Sequence, residues 1–150
     1  MSTALFPGSF DPFTIGHFDI VERGLKIFDK IVIAVGFNEQ KPGWQATEER
    51  IHSIQALYKD EPRVTVVSYT GLTADLVQHL HATCLLRGVR SIKDYEYEQQ
   101  MADINHKLCG VDTVLLFTRP ELASISSSIV RELAHFGRDI SPLLPAHNEQ

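Results

Sequence analysis

Thr3-Ala4-Leu5-Phe6-Pro7-Gly8-Ser9-Phe10-Asp11-Pro12-Phe13-Thr14-Ile15-Gly16-His17 opens the chain with an apolar run of strand length that stops at Pro7-Gly8. A helical pattern begins only at His17. The residues from Pro7 to His17 are more than a plain strand-to-helix connection needs, and long loops of this kind are usually functional. Glycine lets the backbone approach a ligand closely, and prolines stiffen the loop so that its amides point in fixed directions. Ser9 adds a hydroxyl. His17 stands at or near the helix start, where free donors and the positive end of the dipole favour phosphate. The plain alternative is a Gly/Pro turn followed by an N-terminal histidine; length and composition favour an anion-binding turn.

Beyond His17, the apolar residues Ile20, Val21, Leu25 and Phe28 recur at helical spacing, which predicts a helix from His17 to Phe28. Further short, β-branched runs lie at Ile31-Val35, Val64-Ser68, Cys84-Leu86 and Thr113-Phe117, several of them apolar on both faces, as in strands covered on two sides. Thr47 followed by Glu48-Glu49 opens another helix, and Asp94 to Leu108 forms a third. The alternation predicts an α/β fold: a single-domain, Rossmann-like, doubly wound parallel sheet of about five strands with helices on both faces. No repeat, low-complexity tract or linker divides residues 1–150, so one domain is expected over that length. Ligands of such sheets bind beyond the carboxyl ends of the strands, which points to the segments after Phe6, Val35, Ser68, Leu86 and Phe117.

A net charge of -5 argues against broad nucleic-acid binding, which needs a cationic face. Small anions are a different case: Lys41, Arg87, Arg90 and Lys93 fall in loops between predicted elements, placed to meet at one phosphate site. Cys84 and Cys109 form no CxxC motif, and Cys84 falls in a predicted strand, which fits a reducing compartment. The N-terminus lacks a basic region and a signal-length apolar core, and no run approaches a membrane span. A cytoplasmic protein without membrane contact is expected. Asp11, His52, His79, His81, His106 and His147 read as structural or exposed, with no spacing for a metal site.

Two guanidinium forks around a glycine, Arg87-Gly88-Val89-Arg90, can grip phosphates bidentately where the chain passes close to them. Ser126-Ser127-Ser128 exceeds the single serine that a helix cap needs, and hydroxyls with free amides form a phosphate cradle. Lys41 is the only lysine or arginine between Lys30 and Arg50.

Gly8-Ser9-Phe10-Asp11-Pro12 with Thr14-Ile15-Gly16-His17 resembles the signature of the phosphopantetheine adenylyltransferases, a branch of the HxGH nucleotidyltransferases in which threonine often replaces the first histidine. The resemblance continues in order through Lys41-Pro42, Glu48-Glu49-Arg50, Arg87-Gly88-Val89-Arg90, Asp94 to Glu98, Asn105 and Ile125 to Ser128. It implies transfer of the adenylyl group of ATP to 4'-phosphopantetheine, giving dephospho-coenzyme A and pyrophosphate. By resemblance, His17 and Lys41 are catalytic. ATP contacts Ser9, Phe10, His17, Gly88, Val89, Arg90, Glu98 and the segment Leu122, Ala123, Ser124, Ile125, Ser126, Ser127 and Ser128. The acceptor contacts Ser9, Lys41, Thr73, Arg87 and Asn105. Mg²⁺ arriving with ATP, coenzyme A as feedback inhibitor and a homohexamer are implied as well. Two departures stand out. The family commonly carries aromatic residues where this chain has Leu122-Ala123-Ser124, and the stretch from Lys41-Pro42 to Glu48-Glu49-Arg50 is one residue longer than the common pattern.

No Ser-His-Asp or Cys-His arrangement is needed for this chemistry. A phosphate monoester with a second pKa of ~6 is already largely dianionic at neutral pH and attacks directly. The expected mechanism is in-line displacement at the α-phosphorus without a covalent enzyme intermediate, with His17, Lys41, Ser9, Arg90 and the serine-bearing helix end stabilising charge. Nicotinamide mononucleotide and glycerol phosphate are the competing acceptors or reactions within the superfamily, and a non-catalytic nucleotide sensor is the competing class.

Overall fold

The computed structural model describes residues 1–146; the remaining four residues of the expected domain, with His147, lie outside the described residues. Five parallel strands form one sheet: β1 (Thr3–Gly8), β2 (Lys30–Gly36), β3 (Val64–Tyr69), β4 (Cys84–Val89) and β5 (Thr113–Phe117). Helices α1 (Ile15–Gly24), α2 (Thr47–Leu57), α3 (Thr73–Leu80), α4 (Ile92–Cys109) and α5 (Ser127–His135) connect or follow them, with short 3₁₀ turns at Pro120–Leu122 and Ser141–Leu143. The strand order is β3-β2-β1-β4-β5. The direction of winding therefore reverses between β1 and β4.

Alternation along the central strands divides the core. Ala4, Phe6, Ile31, Ile33 and Leu86 face α1 and α2 in one cluster, where Ile20, Val21 and Ile54 pack. Leu5, Ala34 and Leu85 point the other way and meet Val77 of α3, with Cys109 at the end of α4 alongside. The sheet is thus covered on both faces, which is why its strands carry so few polar residues.

The reversal leaves an opening. β1 pairs with β2 along its whole length, from Thr3–Lys30 to Gly8–Val35, but with β4 only at Ala4–Cys84 and Leu5–Leu85. β4 instead keeps pairing with β5 as far as Val89–Phe117. This extension corrects the predicted end of the strand at Leu86: Arg87, Gly88 and Val89 are strand residues, not loop. The first helix also differs from expectation. It begins at Ile15 because Thr14 caps it, and ends at Gly24, after which Leu25 and Phe28 still pack into the core through a turn. α3 was not evident from sequence, being eight residues long and without a side-chain cap.

Leu5 is fully buried at the centre of the sheet, so Leu5→Ala removes packing on the α3 side and leaves a cavity. The expected cost is about 2–5 kcal/mol, read as a lowered urea midpoint at unchanged m-value.

Candidate active site

The β1–α1 loop is held by its own apolar residues. Phe10 adopts a left-handed backbone, φ 47°, although only 3 % exposed. For a non-glycine residue this costs about 1–3 kcal/mol and persists only where surrounding contacts fix it. Its ring lies edge-on to Phe6 and near Phe13, with centroids 5.0 and 5.3 Å away. A Cβ at Gly8 would stand 3.0 Å from that ring, so glycine is what lets Phe10 fold back beneath the loop.

His17 sits against the same aromatic group. Its ring centroid is 5.0 Å from that of Phe10 and 5.3 Å from that of Phe13. Thr14 and His17 form a capping box: the Thr14 hydroxyl accepts from the His17 amide at 3.4 Å, and the Thr14 amide donates to His17 Nδ1 at 3.0 Å. With Nδ1 accepting, the proton of the neutral ring belongs on Nε2. Burial, then the charges of Arg87 and Arg90, push the pKa of His17 down to about 3. His17 is therefore an uncharged donor near neutral pH, aligned by the helix that begins beside it.

Two clefts open at the carboxyl rim where β1 and β4 part, each lined by residues of both strands. The first, about 380 Å³, is lined by the β1–α1 loop, His17, Arg90 and the start of α5 from Ile125 to Ser128, with Arg131. The second, about 460 Å³, runs past Phe37, Tyr69 and Thr73 to Met101 and Asn105 on α4. Gly8, Ser9, Arg87, Tyr97 and Glu98 line both, so the clefts share a wall at the switch point.

Arg87 bridges that wall. Its Nε lies 2.8 Å from both oxygens of the buried Glu98 carboxylate, and Nη1 donates to the Pro7 carbonyl. The guanidinium thus stands between the diverging strands. Arg90 is more exposed; its Nε is 3.2 Å from Asp94, whose carboxylate also accepts the Arg90 amide. Among the described residues, both carboxylates that line the clefts are engaged by arginine.

The serine triplet divides its hydroxyls among structural tasks. Ser126 caps α5 by accepting from the Ile129 amide at 3.1 Å. Ser127 donates to the Pro12 carbonyl at 2.8 Å, and the Ser128 hydroxyl accepts from Arg131 at 3.3 Å. Arg131 also donates to the Asp11 carbonyl at 2.7 Å. α5 is thereby fastened to the β1–α1 loop, and the amides of its first turn are presented to the first cleft.

Most sequence-derived candidates converge here: Ser9, Phe10, His17, Gly88, Arg90, Glu98 and Ile125 to Ser128 on the first cleft, and Ser9, Thr73, Arg87 and Asn105 on the second. Others do not. Leu122, Ala123 and Ser124 lie at the preceding turn, outside both linings, and Val89 is buried. Of the four cations expected to meet at one phosphate site, Arg87 and Arg90 line the clefts. Lys93 lies exposed in the first turn of α4, and Lys41 is exposed in the 37–46 loop, where its amide donates to the Asn38 carbonyl; neither lines a cleft. Arg131, Asp94, Tyr97 and Thr118 line the first cleft beyond the residues expected to bind there. Arg131 was readable in principle, since it follows Ser128 by three residues and so shares its helix face. His52, His79, His81 and His106 are exposed.

Comparison with known proteins gives concordant results. Residues 5–133 match a family described as cytidylyltransferase-like. Phosphopantetheine adenylyltransferase of Phocaeicola vulgatus is 52% identical over 145 residues, covering 97% of this chain and 96% of the relative. The protein of the same name from Porphyromonas gingivalis is 56% identical over 142 residues, covering 95% and 93%. Among solved structures, a putative nicotinate-nucleotide adenylyltransferase from Vibrio parahaemolyticus superposes with a TM-score of 0.67 at 16% identity, covering 97% of this chain and 95% of the other. A bifunctional NMN adenylyltransferase/ADP ribose pyrophosphatase from Francisella tularensis gives 0.74 at 14% identity, covering 98% and 46%. The structural matches speak to the fold alone.

The His17 ring carries a specific pH signature. Folded, it binds fewer protons than the unfolded chain between about 3 and the ordinary 6.5. Its contribution to stability is therefore complete above 6.5 and is lost as pH falls through that window. Imidazole ¹⁵N NMR from about pH 8 to about pH 5 should show His17 neutral throughout, with Nε2 protonated. A His17 ring titrating near 6.5 would contradict the assignment.

Proposed function

The chain belongs to the phosphopantetheine adenylyltransferase family, within the cytidylyltransferase-like group, and on that premise we propose that its two clefts bind ATP and 4'-phosphopantetheine and join them at their shared wall. The observation that carries this reading is the common lining of Gly8, Ser9 and Arg87. A phosphate bound at the end of each cleft meets its counterpart there.

In the reaction, an oxygen of the acceptor's phosphate monoester attacks the α-phosphorus of ATP. The bond to the bridging oxygen breaks, and pyrophosphate leaves with the electron pair, giving dephospho-coenzyme A. With a second pKa of ~6 the acceptor is already a nucleophile at neutral pH, so no general base is required. The neutral His17 donates from Nε2 to a non-bridging oxygen, where charge grows in the transition state. Because it is uncharged and fixed by Thr14, it requires little reorganisation at that moment. Arg90, Arg131 and the amides opening α5 take the outer phosphates. Arg87 receives the acceptor's phosphate, oriented by Glu98. Thr73, whose hydroxyl pairs with that of Tyr69 at 3.0 Å, and Asn105 face the pantetheine arm.

Lys41 is assigned to the reacting phosphates, reached when the segment between Asn38 and Gly43 folds toward the cleft. Mg²⁺ arriving with ATP would supply charge screening at the phosphates. The carboxylates of the first cleft, Asp94 and Glu98, are committed to arginines, which fits an ion held mainly by phosphate and water. Coenzyme A contains both an adenine nucleotide and a pantetheine arm, so it can span both clefts as a feedback inhibitor. Ile92, Tyr95, Ile104 and Leu108 of α4 stand exposed; a homo-oligomer, a hexamer by family resemblance, would cover such apolar side chains. No helix among the described residues is long and apolar enough to cross a membrane; we place the enzyme in the cytoplasm.

Incubation with ATP and 4'-phosphopantetheine should yield dephospho-coenzyme A by mass and acceptor-dependent pyrophosphate. His17→Ala should lower kcat on the order of 100- to 1,000-fold without unfolding the protein. ATP binding without turnover on any acceptor would overturn the reading in favour of a nucleotide sensor.

A further inference from the structure

Asp11 and Arg50 line neither of the two ligand clefts, yet both are buried, at 8% and 4% exposure. Their charges are 3.9 Å apart, Arg50 Nε to Asp11 Oδ1. The Asp11 carboxylate accepts from the Trp44 and Gln45 amides at 2.7 and 2.8 Å. Arg50 donates to the Gln45 carbonyl, to the Gly36 carbonyl at the end of β2, to the Thr47 hydroxyl, and at 2.7 Å to the carbonyl of Ser9. The partners fall into two groups. Gly36, Trp44 and Gln45 are the two ends of the loop that carries Lys41; Ser9 belongs to the wall shared by both clefts. The Asp11 carbonyl also receives Arg131. A buried ion pair is poor at adding stability compared with apolar packing, and its more defensible use is to fix one arrangement over others.

We propose that Asp11 and Arg50 are positioning residues for the transfer reaction: together they pin both ends of the Lys41 loop to the β1–α1 loop, so that Lys41 approaches the phosphates from a fixed base. Neither touches substrate. The proposal rests on the assignment of Lys41 made above.

Asp11→Asn keeps the side-chain size but sets an amide donor against backbone amides. Gly43→Ala disturbs the same seam without removing a charge, because the new Cβ would stand 2.7 Å from Asp11 Oδ2 and 3.1 Å from Arg50 Nη2. Each variant is measured alone and combined with Lys41→Ala, after thermal unfolding establishes that it is folded; if Asp11→Asn does not fold, Gly43→Ala carries the test. Trp44, the only tryptophan, reports the loop through iodide quenching of its fluorescence. Either variant should lower kcat by roughly 10- to 100-fold with little change in KM for 4'-phosphopantetheine, and should make Trp44 more accessible to iodide. In the Lys41→Ala background the further loss should shrink to about twofold or less, since both act through one group. Losses that multiply in the double variants, or an unchanged Trp44 in a variant with reduced turnover, overturn the proposal. Full turnover in Lys41→Ala strikes Lys41 from the mechanism and this proposal with it, while the His17→Ala result decides adenylyl transfer separately.

Discussion

The early parting of β1 and β4 governs everything built at the carboxyl rim. Two residue pairs join these strands before they diverge, and the chain winds outward from them in opposite directions. Neither a helix nor a further strand among the described residues fills the gap. Arg87 enters it instead, holding the Pro7 carbonyl on one side and Glu98 on the other. A cationic group therefore occupies the position where two anionic ligands would otherwise repel each other. Both clefts are consequences of the same divergence.

Electrostatics are local. A chain of net charge -5 offers polyanions no general attraction, yet the rim assembles Arg87, Arg90, Arg131 and the opening amides of α5 around one small volume. Asp94 and Glu98 keep two of the arginines in place and temper their charge. Within that field His17 stays neutral, because burial and the nearby guanidinium groups oppose a further positive charge. Its value is a directed N–H bond, fixed by a capping interaction that also starts α1. Local secondary-structure chemistry and site chemistry are here the same hydrogen bonds.

How much of this the sequence disclosed depended on the range of the signal. The five strands were legible because each is a short β-branched run, and the loop from Pro7 to His17 because glycine, proline and serine interrupt an apolar pattern. Local pattern ends β4 at Leu86 and leaves Arg87, Gly88 and Val89 as loop, because the strand that prolongs β4, namely β5, lies far along the chain. The serine triplet reads as a cradle, whereas the Ser127 hydroxyl fastens α5 to the Pro12 carbonyl and Ser128 pairs with Arg131 of the same helix, which in turn holds the Asp11 carbonyl; only the three-dimensional meeting of α5 with the first loop reveals that. Arg50 read as part of a helix opening, and its bonds to Ser9 and Gly36 are long-range contacts that no local pattern encodes. Lys41 stands out in sequence as the sole cation of its loop, and the fold leaves it outside both clefts.

The central claim is that both substrates occupy adjoining clefts at once and react directly across their shared wall. The stereochemical course at phosphorus tests it. With ATP chiral at an α-phosphorothioate, a single in-line displacement predicts inversion of configuration in the dephospho-coenzyme A analogue. Retention would require two successive displacements through an adenylylated protein, and would contradict the account.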